Sequence, residues 1–418
     1  MHRAGNEGGV RGAGACQKKV ADGNPAWTQW RGPARDGRVA WLPGKLPARA
    51  EPVWSVNLSA PGLGGVSATA EHVIVSDREL GDTLDTFRCL SAADGKELWT
   101  HQTPALGNLD YGNSPRATPL IHAGHVYLLG AFGDLACVEL ATGKAKWSMN
   151  VRAEFEAKDE RKWGVCESPL IVDDKLIVAP GGKDAALVAL DPKTGKPVWK
   201  SPGKPTGYGS FIAGKFGDTL QVVGHDAETL GGWDAKTGKR LWTVKPERGG
   251  DFNVPTPITL ANPDRKVGGE CILVTTENNG TRLFTFKSDG SIDPKPIATN
   301  RRLAPDMHTP VVVGDRVFGV SGRLWCLNLK DRLEEVYDEG GQAFASYCSA
   351  VATDKRMLVA TRTGELILLD ATAAEYTELG RLAALGNEEK GLYSHPALVG
   401  SRIYLRGSSA VVCIDLAK

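Results

Sequence analysis

Arg116, Glu167, Asn253, His308, Tyr347 and His395 each stand just ahead of an apolar stretch of this chain, with Cys166 and Cys348 beside two of them. A guanidinium, a carboxylate, an amide, a phenol and two imidazoles are groups from which small-molecule and ion sites are assembled. Cys166, His308, Cys348 and His395 together would suit a transition metal, yet no CxxC or HxxxH spacing fixes two ligands on one element. Glu167 and Asp306 are single carboxylates, able to act as a base or a calcium ligand only if folding brings further donors to them. No residue is marked as a nucleophile. The glycine-rich pieces Gly62 to Gly65 and Glu247 to Asp251 lack the GK[ST] ending or strand-to-helix setting of a phosphate loop. Any shared chemistry therefore depends on the elements that carry these residues.

Those elements repeat. The segments CLSAADGKELW (Cys89 to Trp99), CVELATGKAKW (Cys137 to Trp147), ALDPKTGKPVW (Ala189 to Trp199) and GWDAKTGKRLW (Gly232 to Trp242) superimpose without gaps. Their central glycines, Gly95, Gly143, Gly195 and Gly238, are 48, 52 and 43 residues apart, the spacing of a four-stranded propeller blade. Each segment reads as a hairpin: an alternating strand, a turn whose glycine supplies a positive φ, and a strand whose Trp plugs the gap to the next blade. Asp191 and Asp234 suit such turns because their carboxylates can bond the local backbone. Upstream of each segment a small polar residue, often followed by Pro, leads into two apolar strands, as at Thr118, Ser168, Thr256, Thr309 and His395. These supply the inner part of each blade and place the six polar residues around the axial mouth, where a wetted channel lining is the plain alternative to a ligand site.

Four looser units follow, at Leu283 to Gly290, Leu324 to Asp331, Leu366 to Ala373 and Val411 to Lys418, giving eight in all. The last stops before its outermost strand, whereas EPVWSVNL (Glu51 to Leu58) is a strand without a blade, with Trp54 placed as the repeating Trp would be. The chain is thus expected to fold as an all-β, eight-bladed propeller of four-stranded antiparallel blades over 51–418, closed by the N-terminal strand so that no sheet edge is left loose. Cys89, Cys137, Cys326 and Cys413 share one repeat position and Cys271 opens an apolar strand, so they read as small buried residues with no disulfide or metal role. The charged run Ala153 to Trp163 reads as a helical turn or a solvated loop over one face.

The pattern Ala-x-Asp-x-x-Thr-Gly-x-x-x-Trp, met in full by Ala189, Asp191, Thr194, Gly195 and Trp199, resembles the docking motif of the quinoprotein-like (PQQ-repeat) propellers. Trp27-Thr28-Gln29-Trp30-Arg31-Gly32-Pro33 with Asp36-Gly37 resembles the leader that many of them carry, so 27–50 is expected to pack on the propeller. The resemblance implies one of two functional kinds. One is the dehydrogenases, which hold pyrroloquinoline quinone and calcium at the axis; they carry a vicinal disulfide and metal ligands from Glu, Asn and Asp, and this chain has no Cys-Cys pair. The other is the branch of BamB-like outer-membrane assembly factors, scaffolds without a cofactor. On this reading the chain is a non-catalytic scaffold that binds a protein partner, is monomeric and carries no cofactor or metal. A PQQ- and calcium-dependent oxidoreductase, or a small-ligand module at the axial mouth, is the alternative.

The bulk properties agree with a folded binding protein. With 50 Lys+Arg against 49 Asp+Glu the net charge is +1, which provides no field to gather nucleic acid. No run of apolar residues is long enough for a membrane helix. Residues 1–26 read as a disordered tail with no apolar signal-peptide core, and Cys16 as a tail cysteine. A periplasmic or other extracytoplasmic location is expected from the resemblance alone.

Overall fold

Alternation of apolar and polar residues drives each repeat into a sheet, and eight four-stranded antiparallel sheets form the ring of a propeller. The computed structural model describes residues 24–49, 51–261, 270–386 and 391–418. Most of the stretch read as a disordered tail, Cys16 included, lies outside them. Blade 1 runs through Ser67–Ala68, His72–Arg78, Leu84–Ser91 and Glu97–Pro104. Blades 2 to 7 follow over 120–150, 170–201, 212–244, 258–300, 311–339 and 348–383. Blade 8 comprises Ala397–Val399, Arg402–Arg406 and Ala410–Asp415, and its fourth strand is Pro52–Asn57 from the other end of the chain. Trp54 pairs with Cys413 across this seam. The ring is closed as the orphan strand requires, so no edge between the first and last blades stays unpaired.

Joints between blades follow the repeated Trp. The indole nitrogens of Trp54, Trp99, Trp147 and Trp199 donate to the carbonyls of Ala92, Leu140, Pro192 and Ala235 in the following blade, at 3.1, 2.8, 3.0 and 3.1 Å. Each acceptor lies three residues before a turn glycine with positive φ, and the indole packs on that glycine. A Cβ added at Gly143 would sit 2.7 Å from the Trp99 ring, and φ there is +70°, so both the turn and the close approach demand glycine. Cys89, Cys137 and Cys413 face these Trp residues across their own blades. They are buried free thiols, as is Cys326 opposite Tyr337.

The residues entering the innermost strands are stitched hydroxyl to amide. The amides of Thr118, Ser168, Ser210 and Thr256 donate in turn to the side-chain oxygens of Ser168, Ser210, Thr256 and Thr309, at 2.9 to 3.1 Å. This is the physical reason for the small polar residue seen before each inner strand. The stitching holds five consecutive blades at one level around the axis and satisfies amides that would otherwise be buried without partners.

The chain ahead of the ring crosses the axis. Asn24 pairs with Gly400 of blade 8, Trp27 with Ala68 of blade 1, and Val39 donates to Ala352 of blade 7. Among the described residues no helix is long and apolar enough to cross a membrane. Among the described residues the one α-helix, Val151–Glu154, forms a single turn within the connection between blades 2 and 3, capped by Asn150.

Candidate functional site

Described residues from each of the eight connections between blades gather on the face where the inner strands begin, and they wall a cavity of about 350 Å³ around the axis. Aromatic side chains dominate its walls. Trp163 lies 4.8 Å from Tyr208 and 4.6 Å from Phe252, ring centre to centre. Across the cavity Tyr393 lies 5.5 Å from Tyr347 and 6.3 Å from Tyr111. Trp30 of the leader also lines the space, together with the stitched residues Thr118, Ser210, Thr256 and Thr309. An apolar aromatic cup with a few convergent polar groups is the usual form of a small-molecule site.

Four of the six residues singled out from sequence line the cavity: Arg116, His308, Tyr347 and His395. Cys166, Cys348 and Asp306 line it too. Glu167 does not; it is buried in the wall, paired with Arg161 at 3.3 Å. Burial pushes its carboxyl above the ordinary range while Arg161 pulls the other way. Asn253 is likewise turned into the wall, where its amide donates to the carbonyl of Asp226 at 3.0 Å. Sequence reasoning missed Trp30, Trp163, Tyr208, Phe252, Glu277 and Tyr393 as cavity residues.

Several polar atoms of lining residues have no partner within the protein: Arg116 Nε, Trp163 Nε1, Glu277 Oε2, His308 Nε2, Ser349 Oγ and His395 Nδ1. Each buried group of this kind is costly unless water or a ligand satisfies it. His308 is the most defined. Its Nδ1 lies 2.6 Å from the Cys348 carbonyl and must carry the proton there, which leaves Nε2 as an acceptor. Burial lowers its pKa to about 4, and Arg31 nearby acts in the same direction. The imidazole is therefore uncharged at neutral pH. Burial pushes the Cys166 and Cys348 thiols up to about 11 and about 12, so neither is a ready thiolate nucleophile. Arg116 gives its terminal nitrogens to the carbonyls of Ser114, Asp110 and Gly112.

Metal chemistry needs more donors than the cavity gathers. Among the described residues no three His, Cys, Asp or Glu side chains come together to hold an ion. Glu277 and Asp306 are the two carboxylates on the lining, and Glu277 takes the Phe252 amide with its other oxygen.

The geometry defines a class, the eight-bladed propeller with a ligand-sized axial cavity. A family model described as outer membrane protein assembly factor BamB matches residues 21–184 and 119–334, and the chain belongs to this PQQ-repeat propeller family. Among curated relatives, the 1-butanol dehydrogenase (quinone) of Thauera butanivorans is 27% identical over 213 residues, 44% of this chain and 33% of that protein. The assembly factor BamB of Burkholderia pseudomallei is 25% identical over 234 residues, 54% of this chain and 58% of that protein. The quinohemoprotein alcohol dehydrogenase ADHIIG of Pseudomonas putida superimposes with a TM-score of 0.69 over 94% of this chain and 80% of its own, at 11% identity, a likeness of fold. The chain spans a third or less of the length of the dehydrogenases it matches in sequence. The expectation that no cofactor is involved is overturned by these names: the relatives and neighbours are in the main quinone and quinohemoprotein dehydrogenases. The docking motif explains how blades pack and is silent about what the axis holds, and the absence of a Cys-Cys pair, on which the expectation rested, does not decide it.

Proposed function

We propose that the protein holds a flat, conjugated cofactor of the quinone class in the axial cavity and oxidises an alcohol with it. The observation that carries this reading is the aromatic cup of about 350 Å³, six of whose lining residues hold a buried polar atom without a protein partner. The quinone dehydrogenases among its relatives support it. The walls suit a planar ring: Trp163 and Tyr208 stand on one side and Tyr347 and Tyr393 on another. Such a cofactor, when bound, takes up the two electrons lost by the alcohol. His308 Nε2 is the acceptor that would receive the substrate hydroxyl, held in one tautomer by Cys348. The donor set does not fit a metal ion, and no step is assigned to one.

The test is to titrate the purified protein with pyrroloquinoline quinone, with and without Ca²⁺, and to follow melting temperature and dye-linked oxidation of 1-butanol. Stabilisation with turnover is expected. No stabilisation and no turnover under either condition sinks the reading.

A second reading, a scaffold for a protein partner, is supported by the BamB relative and by Leu80 and Leu106, apolar residues that are 84% and 73% exposed on the mouth side of blade 1. A place outside the cytoplasm goes with either reading, and cell fractionation checks it.

A further inference from the structure

We propose that the axial channel holds a second ligand site on the side of the leader away from the mouth, where Arg35 takes the carboxylate of a small aliphatic acid. A cavity of about 370 Å³ lies there, lined by leader residues that include Arg35 and Asp36 and by the inner strands of blades 3, 4 and 5. Pro33 and Ala34 of its lining are exposed, so the space opens to solvent.

The cavity marks where the leader stops covering the ring. Three residues after Thr118, Thr309 and Ser349 the inner strands present backbone groups to the axis, and the leader meets each of them. Thr28 accepts the Ile121 amide at 2.8 Å, Arg38 donates to the Val312 carbonyl at 3.0 Å, and Gly37 accepts the Ala352 amide at 2.9 Å. Trp27 pairs with Ala68 of blade 1 in the same way. Ile171, Ala213 and Thr259 hold the corresponding place after Ser168, Ser210 and Thr256, and all three line the cavity. Among the described residues no backbone bond from the leader reaches them. Three consecutive blades thus turn polar backbone groups to a space instead of a partner, and such groups call for water or a ligand.

The guanidinium points to which ligand. Arg35 is 4% exposed, and burial alone acts on it, lowering its pKa to about 9. Arg31, in the same leader, has Asp36 to offset its burial. Asp36 is the one carboxylate on the lining, and its Oδ1 already takes the Arg38 amide at 2.9 Å. Arg35 donates through Nη1 to the Pro169 carbonyl at 2.8 Å and to Gln29 Oε1 at 3.0 Å, and through Nη2 to the Ser168 carbonyl at 3.1 Å. A guanidinium carries five N–H donors, so one on Nη2 is left together with Nε, which has no partner in the protein. Neighbouring nitrogens of this kind clasp a carboxylate through parallel bonds. A buried cation without a counter-charge is costly, and a carboxylate supplies both the charge and the acceptors. Ile212 and Ile258 on the lining suit a short hydrocarbon tail. The site does not depend on what the mouth cavity holds.

The full chain and its Arg35→Met, Arg35→Lys and Thr259→Trp variants are titrated by calorimetry with butyrate and with butyramide, which has the same shape and no charge. Melting curves verify that the Arg35 variants fold. Thr259 is exposed, so Thr259→Trp narrows the space and leaves Arg35 with its anchors in place. Expected is binding of butyrate to the parent chain, with butyramide about tenfold or more weaker, as loss of charge-assisted bonds implies. Butyrate binding should vanish in Arg35→Met, persist in part in Arg35→Lys, which keeps the charge but not the paired donors, and weaken in Thr259→Trp. No binding by the parent chain, equal affinity for the two probes, or butyrate binding unchanged in Thr259→Trp overturns the site. If Arg35→Met does not fold, Arg35→Lys and Thr259→Trp decide. Preference for an acetylated trivaline peptide over butyrate overturns the free acid in favour of a peptide end. Neither probe carries a quinone, so failure here leaves the reading of the mouth intact, and a mouth that binds no quinone leaves this site standing.

Discussion

The two halves of the ring are joined by different means. From blade 8 through blade 1 to blade 4, one Trp and one carbonyl make every joint in the same geometry. From blade 4 back to blade 8 no joint repeats another. Trp242 donates to Gln221 of its own blade at 2.7 Å, and Gln221 passes the link on to the Gly290 carbonyl of blade 5 at 2.8 Å. Between blades 5 and 6 Trp325, standing on the later blade, shares a core with Leu283, Ala298 and Leu303. Between blades 6 and 7 Arg316 donates to the carbonyls of Ala371 and Ala373. At the last joint the docking position is Gly380, and Leu46 from the segment ahead of the ring fills the space, 3.6 Å from where a Cβ would be. One half is a repeated solution; the other is a set of individual repairs, and it carries Glu277, His308, Ser349 and His395, four of the cavity's six unpartnered groups. Regular packing fixes blades at equal intervals, whereas individual joints leave room for chemistry-bearing side chains to be chosen locally.

The sharpest way to break this comparison is to remove a repeated plug. Trp99→Ala empties a buried contact of 8% exposure and leaves the Leu140 carbonyl without its donor. A loss of about 3–5 kcal/mol is expected, read as a lowered denaturant midpoint. Tyr337→Ala, at the matching position of blade 6, should cost less than half of that. Equal losses would show that the halves are not different in kind.

Acid should act on the other half first. His225 and His308 are fully buried with pKa values lowered to about 4 by burial, and His395 is lowered well below its ordinary value by burial and by Arg31. An unfolded histidine titrates near 6.5, so between pH 6.5 and 4 the unfolded chain binds more protons than the folded one. Their stability is complete above about pH 6.5 and falls as the pH drops towards 4, by on the order of 3 kcal/mol for each of the first two. Hydrogen exchange at pH 5 against pH 7 should show blades 4 to 8 losing protection before blades 1 to 3. Uniform loss around the ring would remove the distinction.

What was legible in the sequence follows the same divide. Cys89 to Trp99 and its three companions declared the fold because a Trp, a Gly and their spacing are all needed locally. The strand around Trp54 was legible as the missing strand of blade 8 for the same reason. The joints after blade 4 were not, because Gln221 and Gly290, Arg316 and Ala371, or Leu46 and Gly380 meet only once the ring is closed. Arg116, His308, Tyr347 and His395 were found from their place before an inner strand. Glu167 and Asn253 share that place, yet Arg161 and the Asp226 carbonyl turn them away from the axis. The aromatic walls were missed although a signal existed: Trp163, Tyr208, Phe252 and Tyr393 each precede a ring residue, Ser168, Ser210, Thr256 or His395, by two to five positions.

Removing Arg31 tests whether the leader braces the irregular half. Arg31→Ala strips donors from the carbonyls of Thr309, Pro310 and Asp36, each costly if left unpaired. Against this, the folded state no longer holds a buried cation whose pKa burial lowers to about 10. The net loss is expected to be about 2 kcal/mol, with hydrogen exchange rising at blades 6 and 7 and unchanged at blade 2.

The smallest effect should come from Arg316→Met, which keeps the stem of the side chain and removes only its donors to Ala371 and Ala373. The Ala371 carbonyl stands where Ala92 stands in blade 1, and Ala92 accepts from both Trp54 and Arg402, at 3.1 and 2.6 Å. In blade 1 the indole both fills space and donates, so an arginine beside it is an addition. In blade 7 the arginine is the donor and Tyr337 fills the space, so the two duties of the docking Trp are divided between two residues. Losing one duty alone should cost about 1 kcal/mol, read from urea midpoints. The double variant Arg316→Met with Tyr337→Ala should then exceed the sum of the single losses, since the two act on one joint. A purely additive result would mean that the blade 6 to 7 joint has no shared unit to lose, and that the likeness to the Trp joints ends at position.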